Sequence, residues 1–152
     1  MSRSNSANSR RSHTRALLMQ AHYQQQLDGT SRAGLLAQFR ERREHERVDP
    51  EYFEQLLKES MSDVEQLDAE IAMLADRDYE QLNPVEIAVL RVSLTELKQH
   101  IEIPFRVVIN EGVELARRFG AEDGHKYVNA ILDRSARTHR SAETAARDRG
   151  AN

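Results

Sequence analysis

From Asn83 to Asp133 the apolar residues of this chain recur every three or four positions, and Pro84, Pro104 and Gly120 sit at the joints between the runs. Ile87, Leu90, Leu94, Leu97 and Ile101 form one stripe, widened by Val89 and Val92. Pro104 opens a second run that Gly120 closes, and Tyr127, Val128, Ile131 and Leu132 give a third apolar side. A 3.6-residue period fits helices and no strand. Three helices packed on one another are therefore expected. The first of them is central, because its apolar stripe is the widest. Its start is written in Asn83-Pro84-Val85-Glu86, an N-cap with Pro at the first helical position and Glu at the third.

The segments upstream follow the same logic. A helix is expected from about Arg11 to Leu27, stopped by Asp28-Gly29. Arg11 and Arg15 lie four apart on one face, and Leu18 continues it, so that face turns from basic to apolar and its first turns should project. Thr30 or Ser31 caps a second helix to about Arg43, carrying Leu35, Leu36 and Phe39. Asp49-Pro50 opens a third. From Phe53 through Leu57, Met61, Val64, Leu67 and Ile71 to Leu74 the helical step is unbroken, although Ser62 and Glu65 match a capping box. Periodicity alone does not decide between one helix and two over 49–75. The organisation expected is a disordered basic tail at 1–9, an N-terminal helical subdomain at 10–80 and a C-terminal helical subdomain at 81–137. A disordered tail follows at 138–152.

Composition limits what such a chain does. With 39% hydrophobic residues and 31% charged ones, 152 residues build one domain, or two small subdomains sharing a core. No cysteine is present, which removes disulfides, thiolate metal sites and cysteine nucleophiles. No window of about 18 apolar residues exists to span a membrane. The acid-poor start lacks the apolar face of a targeting peptide, so a cytoplasmic protein is expected. The formal net charge of −3 conceals blocks of opposite sign. Arg3, Arg10, Arg11 and Arg15 precede the first acid, residues 41–80 are acidic, and the end is basic again from Arg134 to Arg149. Such blocks suit a polyanion at one surface and a different partner at another, though charged tails also serve solubility alone.

Catalytic chemistry is not indicated. Phosphate-loop, dinucleotide, zinc-protease and nucleophile-elbow motifs are all missing, and no two of the six histidines have ligand spacing on one helix. No cofactor and no metal are expected, and the chain is not expected to be an enzyme. Arg91, Asn110, Glu111 and Asn129 interrupt the apolar helices of the central stretch. Buried polar groups need partners, so these four are expected to tie helices together, with Asn110 and Asn129 bonding to main chain.

The runs PVEIAVLRVSLTEL and IPFRVVINEGVELARRFGAEDGHKYVNAILD resemble the NusB family of bacterial transcription antitermination proteins. RRSHTRALLMQAHYQQQ and DPEYFEQLL resemble that family's first and third helices, so the resemblance covers roughly Arg10 to Ala136. It implies an all-α, NusB-like fold of two three-helix subdomains packed at an angle. It also implies an RNA-binding antitermination factor. Such a factor binds the boxA element of single-stranded ribosomal RNA leader transcripts together with NusE, a small-subunit ribosomal protein. It acts within the RNA polymerase antitermination complex and supports ribosomal RNA transcription.

By that resemblance Arg11 and Arg15 contact RNA from the first helix, with Arg10 compensating for Ser12 and His13, where the family commonly has arginine. Tyr23 matches an aromatic near the RNA, and Asp123, Lys126 and Tyr127 match the start of the last helix beside it. Arg91 matches an RNA-proximal position and Glu86 one at the partner surface. Thr95 stands where the family commonly has tyrosine. Three neutralised phosphates would give a log-affinity slope against log salt of about −2. A basic first helix also suits masking in a homodimer that the partner releases. Two other readings stand beside this one. The first is a protein-interaction module that binds a basic partner and little RNA. The second, the accessory domain of an RNA methyltransferase, is set aside because about 19 residues follow Asp133.

Overall fold

In the computed structural model, which describes residues 3–150, every regular element is helical. The α-helices are α1 (Arg3–Asp28), α2 (Arg32–Arg40), α3 (Pro50–Met61), α4 (Val64–Ala75), α5 (Pro84–Gln99), α6 (Phe105–Phe119), α7 (Gly124–His139) and α8 (Ser141–Gly150). Two 3₁₀ turns, Arg43–Arg47 and Asp76–Gln81, join α2 to α3 and α4 to α5.

The helix ends are set locally. Gly29 takes the left-handed φ of 69° and its N–H reaches Gln25 O at 2.9 Å, which ends α1. Ser31 Oγ accepts from Gly34 N, and Asp49 Oδ1 accepts from Tyr52 N, so α2 and α3 both start on side-chain caps. The Asn83–Glu86 capping box forms as expected. The Ser62–Glu65 box does not. Ser62 Oγ donates back to Glu59 O at 2.9 Å and so closes α3, and the run over 49–75 is two helices. The backbone change there comes with Ser60, whose hydroxyl also bonds back to Leu56 O, competing with the helix's own ladder.

α5 is the axis of the fold. Every residue from Ala88 to Leu97 is buried, and α1, α3, α4, α6 and α7 all pack against it around one apolar cluster. Ile101 does not continue the α5 stripe, because the helix ends at Gln99 and Ile101 lies 76% exposed in the turn. α1 and α5 run antiparallel: Arg15 meets Glu96, Gln25 meets Arg91 and Gln26 meets Pro84.

Both tails differ from expectation. Met1 and Ser2 lie outside the described residues, but α1 already starts at Arg3. At the other end α7 runs to His139 and α8 follows. The buried Arg140 explains why. Its guanidinium donates to the carbonyls of Leu97, His100 and Ile103, each at 2.8 Å, and to Glu143 Oε1 at 2.6 Å. The end of α5 leaves carbonyls without intrahelical partners, and a five-donor fork satisfies several at once. Glu143 Oε2 then accepts from Phe105 N at 3.2 Å, so the start of α8 is fastened to the start of α6.

Candidate nucleic-acid interface

α1 presents a different face to solvent from the one its arginine spacing suggests. Packing on α5 and α3 turns the Arg11–Arg15–Leu18 face inward. Arg15 is 4% exposed. Its Nε donates to both oxygens of Glu96 at 2.8 and 3.0 Å, and its Nη1 to Glu111 Oε1 at 3.1 Å. Burial works against its charge, but Glu96 and Glu111 outweigh burial and hold the guanidinium more firmly protonated than usual. Tyr52 donates its hydroxyl to the same Glu96, and burial followed by that carboxylate pushes the phenol pKa upward. Ser12 Oγ donates to Glu111 at 2.5 Å, closing the cluster from α1. Arg15 is thus corrected from a projecting cation to an internal tie between α1, α5 and α6. Arg11 is half-buried, 3.7 Å over the Tyr52 ring and 3.8 Å from Asp49. Arg10 remains exposed, with Nη1 at 3.5 Å from Val48 O.

The outer face of α1 instead runs Arg10, His13, Ala16, Gln20, Tyr23, Leu27, at the three- and four-residue step of one helix face, exposed at both ends and half-buried at Ala16 and Gln20. It begins basic and ends with Tyr23 and Leu27, 38% and 62% exposed. Gln20 and Leu27 were not singled out from sequence. Their signal was the spacing from Arg10, which an eye on the arginines alone passes over.

The residues matched at the opposite end sit differently again. Glu86 is fully buried. One of its oxygens accepts from Asn83 N at 3.4 Å, the other from Ala121 N at 3.2 Å. A Cβ added at Gly120 or Gly124 would come within 2.5 or 2.6 Å of this carboxylate. The glycine at 120 therefore answers a close approach and not a left-handed turn, since its φ is −88°. Glu86 pegs the α6–α7 turn onto α5, with its carboxylate enclosed by the fold. Arg91, 4% exposed, grips Asp68 of α4 with two bonds of 2.8 and 2.7 Å and Gln25 of α1 with a third of 2.7 Å. Both are corrections to surface roles, with one reason: a partner distant in sequence holds the charge inside.

Asp123 stands at the N-cap position of α7 but its carboxylate caps nothing; it pairs with Lys126 at 3.3 Å. Both are exposed, and Tyr127 is half-buried. Thr95 is buried and donates to Arg91 O at 2.8 Å. Of the four polar residues expected to tie helices, Arg91 and Glu111 do so, whereas Asn110 and Asn129 face solvent.

Two groups of candidate residues result, at opposite ends of the α1–α5 pair. Arg10 and Arg11 lie at one end. Gln26 Nε2, bonded to Pro84 O at 2.8 Å, marks the other, beside the Glu86-pegged turn that leads into Asp123, Lys126 and Tyr127. Sixteen residues of helix separate Arg10 from Gln26, about 24 Å. No single point gathers them; the open stripe of α1 leads from one end toward the other. Among the described residues no group of three or more His, Cys, Asp or Glu is placed to hold a metal ion, and no helix is long and apolar enough to cross a membrane.

A NusB family model matches residues 12–137, leaving Arg10, Arg11 and α8 outside the matched region. A transcription antitermination protein NusB from Alcanivorax borkumensis is 45% identical over 139 residues, covering 91% of this chain and 93% of the relative. One from Paraburkholderia phytofirmans is 46% identical over 138 residues, covering 91% and 96%. Among solved structures, T. maritima NusB superposes with a TM-score of 0.69 at 26% identity, over 83% of this chain and 89% of that one.

Proposed function

Because the chain belongs to the NusB family, we propose that it acts in transcription antitermination, as a binding factor and not as a catalyst. The proposed ligand is boxA-type single-stranded RNA of ribosomal RNA leaders, held jointly with the ribosomal protein NusE inside the RNA polymerase antitermination complex, in the cytoplasm. The observation that carries the RNA side is the open stripe of α1, which starts in exposed cation and ends in exposed aromatic and apolar surface. Phosphates are attracted at the first end, and bases find a stacking surface at the second. Lys126 and the half-buried Tyr127 extend that second end.

The partner side is supported by charge. Exposed Glu65, Asp76 and Glu80 share α4 and the turn after it with Met73 and Tyr79, which are 74% and 38% exposed, and Arg77 is the one basic residue in that stretch. A stretch with an excess of acidic residues and exposed apolar side chains suits a basic ribosomal protein. This surface replaces Glu86 as the proposed contact.

The test is RNA affinity for a boxA-containing oligomer over a salt series, with and without NusE. NusE should tighten binding, and an Arg10→Ala/Arg11→Ala variant should lose most of that affinity. With Arg15 held inside, two phosphate contacts from α1 give a slope of about −1.4. Unchanged RNA affinity in the double variant, with NusE binding intact, would replace this reading by that of a protein-interaction module.

A further inference from the structure

A groove of about 300 Å³ lies between the second half of α1 and Arg42, just before the 3₁₀ turn Arg43–Arg47. Gln20, Tyr23, Gln24, Leu27, Asp28 and Arg42 line it. Tyr23 and Leu27, four apart on one face, supply an aromatic and an aliphatic surface to water. Arg42 is held in place before any ligand arrives: its guanidinium lies 4.0 Å over the buried Phe39 ring, and Nη1 donates to Gln20 Oε1 at 2.8 Å. A planar cation fixed on two sides loses little freedom when a second planar group stacks on it. At the edge formed by Gln24 and Asp28 the groove offers acceptors. Gln24 uses its Nε2 on Gln38 Oε1 and Thr30 Oγ1, leaving its carbonyl oxygen free to accept. Asp28 accepts at Oδ1 from the N–H and hydroxyl of Thr30 and lies beside the Gln24 side chain, and a carboxylate with about four acceptor sites keeps capacity for a further donor.

We propose that this groove seats one nucleobase of a single-stranded RNA, packed between Tyr23 and Arg42 and read at its edge by Gln24 and Asp28. This rests on the RNA-binding reading above and specifies where along the strand sequence is read. A stacking wall and a fixed guanidinium suit any base. A carboxylate only accepts, so the edge favours a base that presents an amino group, namely adenine, cytosine or guanine, over uracil. The same carboxylate repels phosphate, which places the sugar–phosphate backbone outside the groove, on the side of Arg10 and His13.

The experiment is a coupling measurement on the full chain with NusE present. A boxA-containing RNA is made with a single abasic nucleotide at each position in turn, and affinities are compared for the parent protein, Tyr23→Leu and Arg42→Met. Met keeps Phe39 covered while removing the charge. In the parent, one position should lose about 5- to 150-fold in affinity when its base is removed, the span of base–aromatic stacking. In Tyr23→Leu and in Arg42→Met that penalty should shrink severalfold at that position and at no other, and uracil placed there should bind more weakly than the three amino-bearing bases. If RNA binds but no position is coupled to Tyr23 or Arg42, the base pocket is wrong and the RNA-binding reading stands. If the parent with NusE binds no RNA, both fall.

Discussion

His22 makes the protein's stability depend on pH in a calculable way. It is fully buried in α1, with Nε2 2.7 Å from Ser60 Oγ. Ser60 uses its own hydrogen on Leu56 O, so the imidazole must donate from Nε2 and leave Nδ1 bare, and Nδ1 has no partner. A proton on Nδ1 would be a buried, unpaired charge near Arg91. Burial first, and Arg91 second, lower the pKa to about 3. In the unfolded chain the group titrates near its ordinary value of about 6.5. The unfolded state then binds more protons below pH 6.5, so falling pH favours unfolding, by up to about 1.4 kcal/mol per pH unit until the folded group also titrates. Between pH 7 and pH 5 the integrated loss is about 2 kcal/mol. Urea unfolding of the parent and of His22→Leu at pH 5, 6 and 7 checks this. Leu removes the titration and leaves Ser60 bonded to Leu56 O. Whatever its stability at pH 7, the variant should gain about 2 kcal/mol relative to the parent on going to pH 5. Parallel stability curves for the two proteins would refute a buried neutral imidazole.

Gly124→Ala should destabilise the fold by about 1–3 kcal/mol, because the new methyl falls on the Glu86 carboxylate at 2.6 Å and that carboxylate is fixed by two backbone bonds; thermal unfolding of the variant reads this directly, and an unchanged Tm would mean the α6–α7 turn yields. Asp123→Asn has no cap to disturb, so unfolding free energy should stay within about 0.5 kcal/mol. RNA binding should tighten as Lys126 is freed from its 3.3 Å pairing; unchanged or weaker RNA affinity would remove Asp123 and Lys126 from the interface.

What was legible in the sequence was local. Asn83-Pro84-Val85-Glu86, Asp49-Pro50 and Asp28-Gly29 each announce a helix end through groups within four residues, and each end is where those residues place it. Ionised side chains were misread because their partners are far away along the chain. Arg15 answers to Glu96 and Glu111, and Arg140 to the carbonyls that end α5, whereas Arg91, which interrupts an apolar stripe, was legible as a tie between helices. On sequence alone Arg15 and Arg140 look like solvated charges. Asn110 and Asn129 failed in the opposite direction. The inward face of α6 is Phe105, Val108, Ile109 and Gly112, and Asn110 falls one step past it. Spacing from Arg10 groups the residues of the α1 stripe, but it does not say which side of α1 faces water, because α5 and α3 decide that.

The division of labour among the first-helix arginines bears on how this surface should be dissected. Arg15 is a fork between two carboxylates, with Tyr52 and Ser12 bonded to the same pair. Lysine at this position keeps the charge but lacks the planar geometry, and alanine leaves Glu96 buried beside Tyr52 without its cation. Either change loosens α1 from α5 and α6, and with it the track that carries Arg10, His13 and Tyr23. Loss of RNA binding in an Arg15 variant therefore reports on the scaffold, whereas loss in an Arg10 variant reports on contact. Under the proposed function, the same reasoning calls for a contribution from the partner. Arg10 and the half-buried Arg11, already shared with Asp49 and the Tyr52 ring, leave α1 with little uncommitted charge. On the proposed function, a surface so sparing in cations would discriminate by base contacts and rely on a second, more basic protein for the remaining phosphate contacts.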